Sequence, residues 1–88
     1  MHAYDAREMA IATRKESIER VIKFISQKIK AYANAGYYEI DHNIPSFICP
    51  YPLKKTERKE IEKHFKQLKY DIYVDKKEFS VSWERIIK

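Results

Sequence analysis

The chain has 88 residues, close to the lower limit at which one hydrophobic core holds a single domain together unaided. Apolar residues make up 44% of it, a share typical of folded chains, so the composition argues against intrinsic disorder. Eighteen Lys and Arg residues against 13 Asp and Glu residues give a net charge of +5, which permits an acidic partner without requiring one.

Residues 6–35 are predicted to form one long helix, because no proline precedes Pro45 and the only glycine is Gly36. Asp5 followed by Glu8 is typical of a capping box at the helix start, and Gly36 suits the left-handed turn that ends a helix. The apolar stripe expected to face the core consists of Ile18, Val21, Ile22, Ile25, Ile29, Tyr32 and Ala33.

The length of this helix favours a homo-oligomer. Thirty residues span about 45 Å, whereas a compact domain of this size is only about 30 Å across. Residues 1–17, which are rich in alanine, are therefore expected to project and pack against another copy, leaving a compact αβ core over residues 18–88 of a single domain, 1–88. A bent helix, or a solvated N-terminal turn, is the alternative.

The rest of the chain reads as a strand, a helix and a hairpin. Alternation over residues 37–41 predicts a strand, and the proline-containing loop 42–53 is apolar enough to pack on the core or on another subunit. A second helix is predicted over residues 55–69, with Thr56 as N-cap. Its inward face would consist of Ile61, Phe65 and Leu68.

The last two predicted strands are joined by a turn at residues 75–78. The side chains that would share the buried face of this hairpin are Tyr70, Ile72, Val74, Phe79, Val81 and Trp83. The order helix, strand, helix, strand, strand predicts an α+β fold in which a three-stranded sheet is covered by the helices.

Basic residues concentrate on the second predicted helix, where residues 54–69 carry most of the net charge. A helical wheel places four lysines opposite the apolar face: Lys55, Lys59, Lys63 and Lys66. Such a stripe can bind phosphate or an acidic protein surface. The alternative is an ordinary solvated face, partly neutralised by Glu62 paired with Lys66.

Three tyrosines are further candidates for ligand binding: Tyr37, Tyr51 and Tyr73. Exposed tyrosine offers a large contact area at low entropy cost and can stack on bases. Ordinary sheet packing explains strand tyrosines equally well. Glu39 and Asp41 also share a strand face, but paired surface acids are usually only solvated.

No pattern points to catalysis or to a metal. The three histidines fall in different elements and there is a single cysteine, Cys49, so a zinc site and an internal disulfide are not expected. With one glycine the chain has no glycine-rich phosphate loop. Asp41 and His42 could act with Cys49 as a thiol site, but a lone loop cysteine is more typically a buried hydrophobe. We therefore expect no enzymatic activity, catalytic residue or cofactor.

The chain contains no apolar run near the roughly 20 residues of a membrane-spanning helix, and its N-terminus lacks a signal-peptide pattern. The single cysteine fits a reducing compartment. A cytoplasmic protein that does not associate with membranes is expected.

Three stretches from Ile25 onward form a recognisable pattern: residues 29–36, Leu-Lys-Tyr-Asp-Ile at 68–72 and Val-Ser-Trp at 81–83. In these stretches the chain resembles a recurrent type of small phage-encoded protein, whose pattern has glycine where this chain has Lys69. The resemblance implies a virus or prophage origin and a non-enzymatic accessory role in the host cytoplasm, and it assigns no functional residue.

These observations support three hypotheses. The first is a homo-oligomeric phage-type accessory protein that binds and blocks a host protein, or that sequesters a small anionic, nucleotide-like ligand such as a signal of host defence. The second is a nucleic-acid-binding protein that uses the basic second helix, and the third is a structural assembly component held together by the long helix. Binding to the phosphate backbone weakens steeply with salt, which separates the second hypothesis from the first.

Overall fold

The structure, a computed structural model, describes residues 2–84. Its elements are α1 (Ala3–Asn34), β1 (Glu39–Asn43), α2 (Lys55–Gln67), β2 (Asp71–Val74) and β3 (Glu78–Ser82). The strands form an antiparallel sheet in the order β1-β3-β2, and both helices pack on the same face of it. The predicted α+β fold is confirmed.

The first helix begins earlier than predicted. α1 starts at Ala3 with His2 as N-cap, and no side chain caps it. Asp5 lies inside the first turn, so the capping box predicted at Asp5 is wrong. Ala3 and Tyr4 do not interrupt the helix, and an acidic side chain within the first turn still interacts favourably with the positive end of the helix dipole.

The end of α1 follows the prediction. Gly36 has φ +91°, the left-handed conformation that glycine adopts without steric cost. Its N–H donates to the Ala33 carbonyl at 3.0 Å, and the Tyr37 N–H donates to the Tyr32 carbonyl at 2.9 Å. These two bonds form a Schellman motif, which satisfies carbonyls that would otherwise lack partners. The motif uses Tyr37, so β1 begins at residue 39 rather than at the predicted 37.

The core lies between the helices and the inner face of the sheet. Strand register aligns Ile40, Val81 and Ile72 in one row across the sheet. The predicted inward face of the hairpin is confirmed, with Tyr70 and Trp83 packed at its margin. The buried apolar side chains of the core are Ile18, Val21, Phe24, Ile25, Ile29, Ile40, Ile44, Cys49, Leu53, Ile61, Phe65, Ile72, Val74, Phe79 and Val81.

The second helix begins at the predicted residue 55, but its predicted N-cap and its predicted end need correction. α2 starts one residue before Thr56, and Lys54 is its N-cap. The Glu57 carboxylate accepts a hydrogen bond from the Lys54 backbone N–H at 2.7 Å. Glu57 therefore supplies the side-chain capping contact at the start of the helix that was expected from Thr56. At the other end Leu68 is 58% exposed, because the helix stops at Gln67 and the chain turns away.

The proline loop between β1 and α2 packs on the core, one of the two alternatives expected for it, through Ile44, Cys49 and Leu53. The backbone N–H groups of Ile44 and Leu53 donate to the carbonyls of Lys77 and Lys76 at 2.7 and 2.9 Å, which ties the loop to the β2–β3 turn. Phe47 is the exception: it is 82% exposed at the tip of the loop.

The N-terminal part of α1 extends beyond the core. The described part of the molecule measures 51 × 26 × 16 Å, and its long dimension matches the roughly 48 Å expected for the 32 residues of α1. Residues 3–13 are exposed throughout, and we call them the N-terminal overhang. The overhang ends before residue 17, because the side chains of Arg14 and Ser17 already contact the proline loop. Neither described helix is long and apolar enough to cross a membrane.

Candidate functional site

The four lysines singled out in the sequence lie together on α2. The helix buries Ile61 and Phe65 against the core, and this orientation leaves the opposite side in solvent. The lysine stripe consists of Lys55, Lys59, Lys63 and Lys66, all exposed and each about one turn from the next. From Lys55 to Lys66 it spans about 16 Å.

Within residues 2–84 the lysines of the stripe form no ion pair, although Glu62 lies beside them. In residues 2–84 the two ion pairs join Arg14 to Glu57 and Arg58 to Asp75, so neither uses the stripe. Glu62 does not pair with Lys66 as expected. Its Oε2 instead accepts the backbone N–H of Val74, in an edge strand, at 2.9 Å.

A shallow depression of about 370 Å³ lies on this surface, lined by Lys59, Glu62, Lys63, Lys66 and Gln67. No aromatic side chain lines it. An anion there would meet lysine amino groups together with the Glu62 carboxylate and the Gln67 side chain, without a ring on which a base could stack.

The three candidate tyrosines lie apart from one another. Tyr37 follows α1 and has its ring centroid 5.6 Å from that of Tyr32. Tyr73 lies on the outer face of β2 and is 62% exposed. Both remain open to a ligand, but neither borders the depression beside the lysine stripe.

Tyr51 is engaged in the fold. Its hydroxyl donates to Ser17 Oγ at 2.6 Å, and the guanidinium carbon of Arg14 lies 4.0 Å from the centroid of its ring. Ser17, itself buried, donates to the Thr13 carbonyl at 3.1 Å. Tyr51 therefore fastens the proline loop to α1.

Sequence reasoning missed the main polar contact between the two helices. Arg14 Nε lies 2.8 Å from Glu57 Oε2 and Arg14 Nη2 lies 2.6 Å from Glu57 Oε1, a bidentate arrangement. Arg14 also donates to the Pro52 carbonyl at 3.2 Å. The hydrogen bonds from Arg14 are the largest cause that lowers the pKa of Glu57, and the same pairing raises the pKa of Arg14. One signal was available: Arg14 lies four residues before Ile18, on the continuation of the core stripe.

The thiol site considered from the sequence is not assembled. Asp41 points outward from β1, whereas His42 points inward, beside the rings of Phe24 and Phe79. The Cys49 thiol is buried and donates to the Tyr51 carbonyl at 3.3 Å. Within residues 2–84 no group of three His, Cys, Asp or Glu side chains could hold a metal ion.

The outer face of the sheet forms a second charged surface, which the sequence showed only in part. Glu39 and Asp41 lie there as expected, and strand pairing adds Asp71 and Glu78. We call these four carboxylates the acidic sheet face. The other outward residues of the described strands are Asn43, Tyr73, Ser80 and Ser82, so none of the eight is lysine or arginine.

Comparison of the chain with protein-family models, with curated proteins and with solved structures gave no match in any of the three.

Proposed function

We propose that this chain is a non-enzymatic binding protein that docks an acidic surface of a partner protein through the lysine stripe, and that it self-associates through the N-terminal overhang. The observation that carries the docking proposal is the row of four exposed lysines on a helix whose opposite side is anchored in the core. A phage-type role against a host factor stays an expectation of the resemblance.

The shape of the stripe favours a protein partner over a small nucleotide-like ligand. Sites for small molecules are concave and bury most of the ligand, with a few convergent polar groups. The depression beside the stripe is shallow and has no aromatic lining. A row of ammonium groups about 16 Å long instead matches an extended acidic surface, where complementary charge accelerates association and selects the partner.

Nucleic acid is the second candidate, and the lysine stripe itself favours it, since lysines that neutralise backbone phosphates bind any duplex electrostatically. Single-stranded nucleic acid fits less well. Such binding depends on aromatic side chains beside a basic groove, and Tyr37 and Tyr73 do not border the stripe.

The proposed self-association rests on a second feature of α1. Tyr4 and Ile11 precede Ile18 by fourteen and seven residues, so they continue the side of the helix that faces the core. They are nevertheless 70% and 51% exposed, with alanines between them. A second copy that packs against this side would bury them, and small residues allow close approach of two helices.

The docking proposal is tested by replacing Lys55, Lys59, Lys63 and Lys66 with glutamine. Fluorescence anisotropy would measure binding of labelled poly-L-glutamate and of a labelled DNA duplex at physiological salt. We expect the wild type to bind poly-L-glutamate and the variant to bind it about tenfold more weakly, since four exposed charge contacts of a few tenths of a kcal/mol each sum to about that factor.

The matched control replaces four exposed lysines elsewhere: Lys23, Lys30, Lys76 and Lys77. It removes the same net charge, so it should bind poly-L-glutamate within about twofold of the wild type if position matters. Equal losses in the two variants would contradict the proposal. Sub-micromolar duplex binding that the stripe variant alone loses would favour the nucleic-acid candidate instead.

A further inference from the structure

The two faces of this molecule carry opposite charge. The acidic sheet face contributes four negative charges, although the whole chain has a net charge of +5. The remaining residues therefore carry a net +9. The lysine stripe belongs to this basic remainder and lies on the outer side of the helical layer, across the core from the acidic sheet face.

The acidic sheet face has no covering element within residues 2–84, since α1 and α2 both pack on the inner side of the sheet. Tyr73 lies on this bare face and is 62% exposed. A shallow hollow of about 450 Å³, lined in part by Asp41, Tyr73 and Glu78, opens there. The face is thus a broad surface rather than a site for one ion.

The dimensions of the two surfaces match. Neighbouring outward positions on one strand are about 7 Å apart and neighbouring strands about 4.8 Å apart. Glu78 lies two rows along the sheet from Asp71 on the adjacent strand, so the two positions are about 14 Å apart. Lys55 and Lys66 are about 16 Å apart, and long lysine side chains accommodate the difference.

We propose that the lysine stripe of one copy docks on the acidic sheet face of a second copy. The inference rests on the proposed function of the stripe as a docking surface and names this chain as a partner. Tyr73 would lie under the lysine stems, where an aromatic ring packs against methylene groups and attracts the cation. The contact joins different surfaces of the two copies, so it extends into a ring or an open chain rather than a two-fold dimer.

Salt distinguishes this contact from association through the overhang. Attraction between exposed charges is screened as the Debye length shrinks, whereas burial of apolar side chains is not. In sedimentation velocity we expect the mean mass of the full chain to fall as salt rises from low to high. The mass at high salt then reports the overhang alone.

The decisive experiment reverses charge on each surface in turn. One variant carries Lys59→Glu and Lys63→Glu, and the other carries Glu39→Lys and Asp41→Lys. Each variant alone opposes like charges and should keep its high-salt mass even at low salt. An equimolar mixture brings opposite charges together again and should regain the low-salt mass of the wild type, a recovery that misfolded variants cannot produce.

A mixture whose mass is only the average of its two components would overturn the inference. The sheet variant keeps the whole lysine stripe, so its binding of poly-L-glutamate separates the two proposals. Binding without recovery in the mixture contradicts the self-docking inference alone. If the sheet variant fails to bind poly-L-glutamate and the mixture also fails to recover its mass, the docking function is contradicted as well.

Discussion

The pair of Arg14 and Glu57 joins the middle of α1 to the first turn of α2. Replacing Glu57 with glutamine tests how much this pair contributes to the stability of the fold. Glutamine keeps the shape of the side chain and removes its charge. The guanidinium of Arg14 would keep the Pro52 carbonyl and the Tyr51 ring as partners, but it would face an amide in place of a carboxylate. The Lys54 backbone N–H would lose a charged acceptor as well.

The expected loss of stability in Glu57→Gln follows from how far the pair is buried. Side-chain exposure is 23% for Arg14 and 9% for Glu57, so the pair lies between the exposed and buried limits. Exposed pairs contribute about 0.2–1 kcal/mol, and removing one partner of a buried pair costs about 3–5 kcal/mol. We expect Glu57→Gln to lower the free energy of unfolding by about 2 kcal/mol. For a domain of this size that is a fall of about 8–16 °C in Tm.

A double-mutant cycle measures the coupling energy between the two side chains. It uses urea denaturation of the wild type, Glu57→Gln, Arg14→Met and the double variant. We expect a coupling energy of about 1–2 kcal/mol, because the two side chains share a bidentate contact. A coupling below about 0.5 kcal/mol would refute the reasoning, since it would mean that the two groups act independently.

The lowered pKa of Glu57 determines how the stability of the fold changes with pH. The pKa of Glu57 is lowered from its usual value of 4.5 by the hydrogen bonds from Arg14. A carboxylate with a lowered folded-state pKa contributes stability that is present above the unfolded value and is lost as pH falls through the folded value. The stability gap between wild type and Glu57→Gln should therefore shrink below about pH 4.5. A gap that stays constant down to about pH 3 would contradict the assignment.

Two further predictions concern the ends of the helices. Lys69 has φ 73°, a left-handed conformation that costs a non-glycine residue about 1–2 kcal/mol, so Lys69→Gly should raise Tm by a few degrees; an unchanged or lower Tm in calorimetry would mean that its side chain contributes more than the strain costs. Deleting residues 1–13 removes the overhang, so light scattering at high salt should show a smaller subunit number; an unchanged subunit number would exclude the overhang as the contact. The Tm is expected to fall somewhat, because the deletion also removes the Thr13 carbonyl that accepts the Ser17 hydroxyl.

The spacing of apolar residues predicted the helices and strands because it reflects which side of each element is buried, and that spacing can be read from neighbouring residues alone. The three- and four-residue spacing of Ile18, Ile25 and Ile29 specifies one face of a helix whatever covers that face. Gly36 marked the helix end, since its freedom at positive φ is intrinsic to the residue. The glycine expected by resemblance at Lys69 follows the same logic, because the structure places a left-handed residue there.

The polar contacts were not predictable in the same way. Whether Glu57 caps its own helix or pairs with Arg14 depends on how α1 and α2 are placed, and no local pattern contains that placement. Tyr51 illustrates the same limit. A tyrosine beside prolines is equally compatible with an exposed loop and with the bond to Ser17 that the fold provides.

The acidic sheet face shows what the net charge of the chain does not reveal. Glu39 and Asp41 could be placed on one side of a strand from the sequence, but Asp71 and Glu78 join them only because β3 pairs with both β1 and β2. Strand order depends on contacts between residues far apart in the chain. A chain with a net positive charge can therefore carry a negatively charged surface that its composition does not show. In this molecule that surface is complementary in charge to the lysine stripe.

The pair of Arg14 and Glu57 connects α1, which carries the overhang, to α2, which carries the lysine stripe. An isolated helix as short as the 13 residues of α2 is marginal in water, so the stripe exists as a straight row only because Ile61 and Phe65 are buried and Glu57 is held by Arg14. The residue that fixes the start of α2 lies immediately after the overhang on α1. The contact between Arg14 and Glu57 thus lies between the overhang on α1 and the lysine stripe on α2.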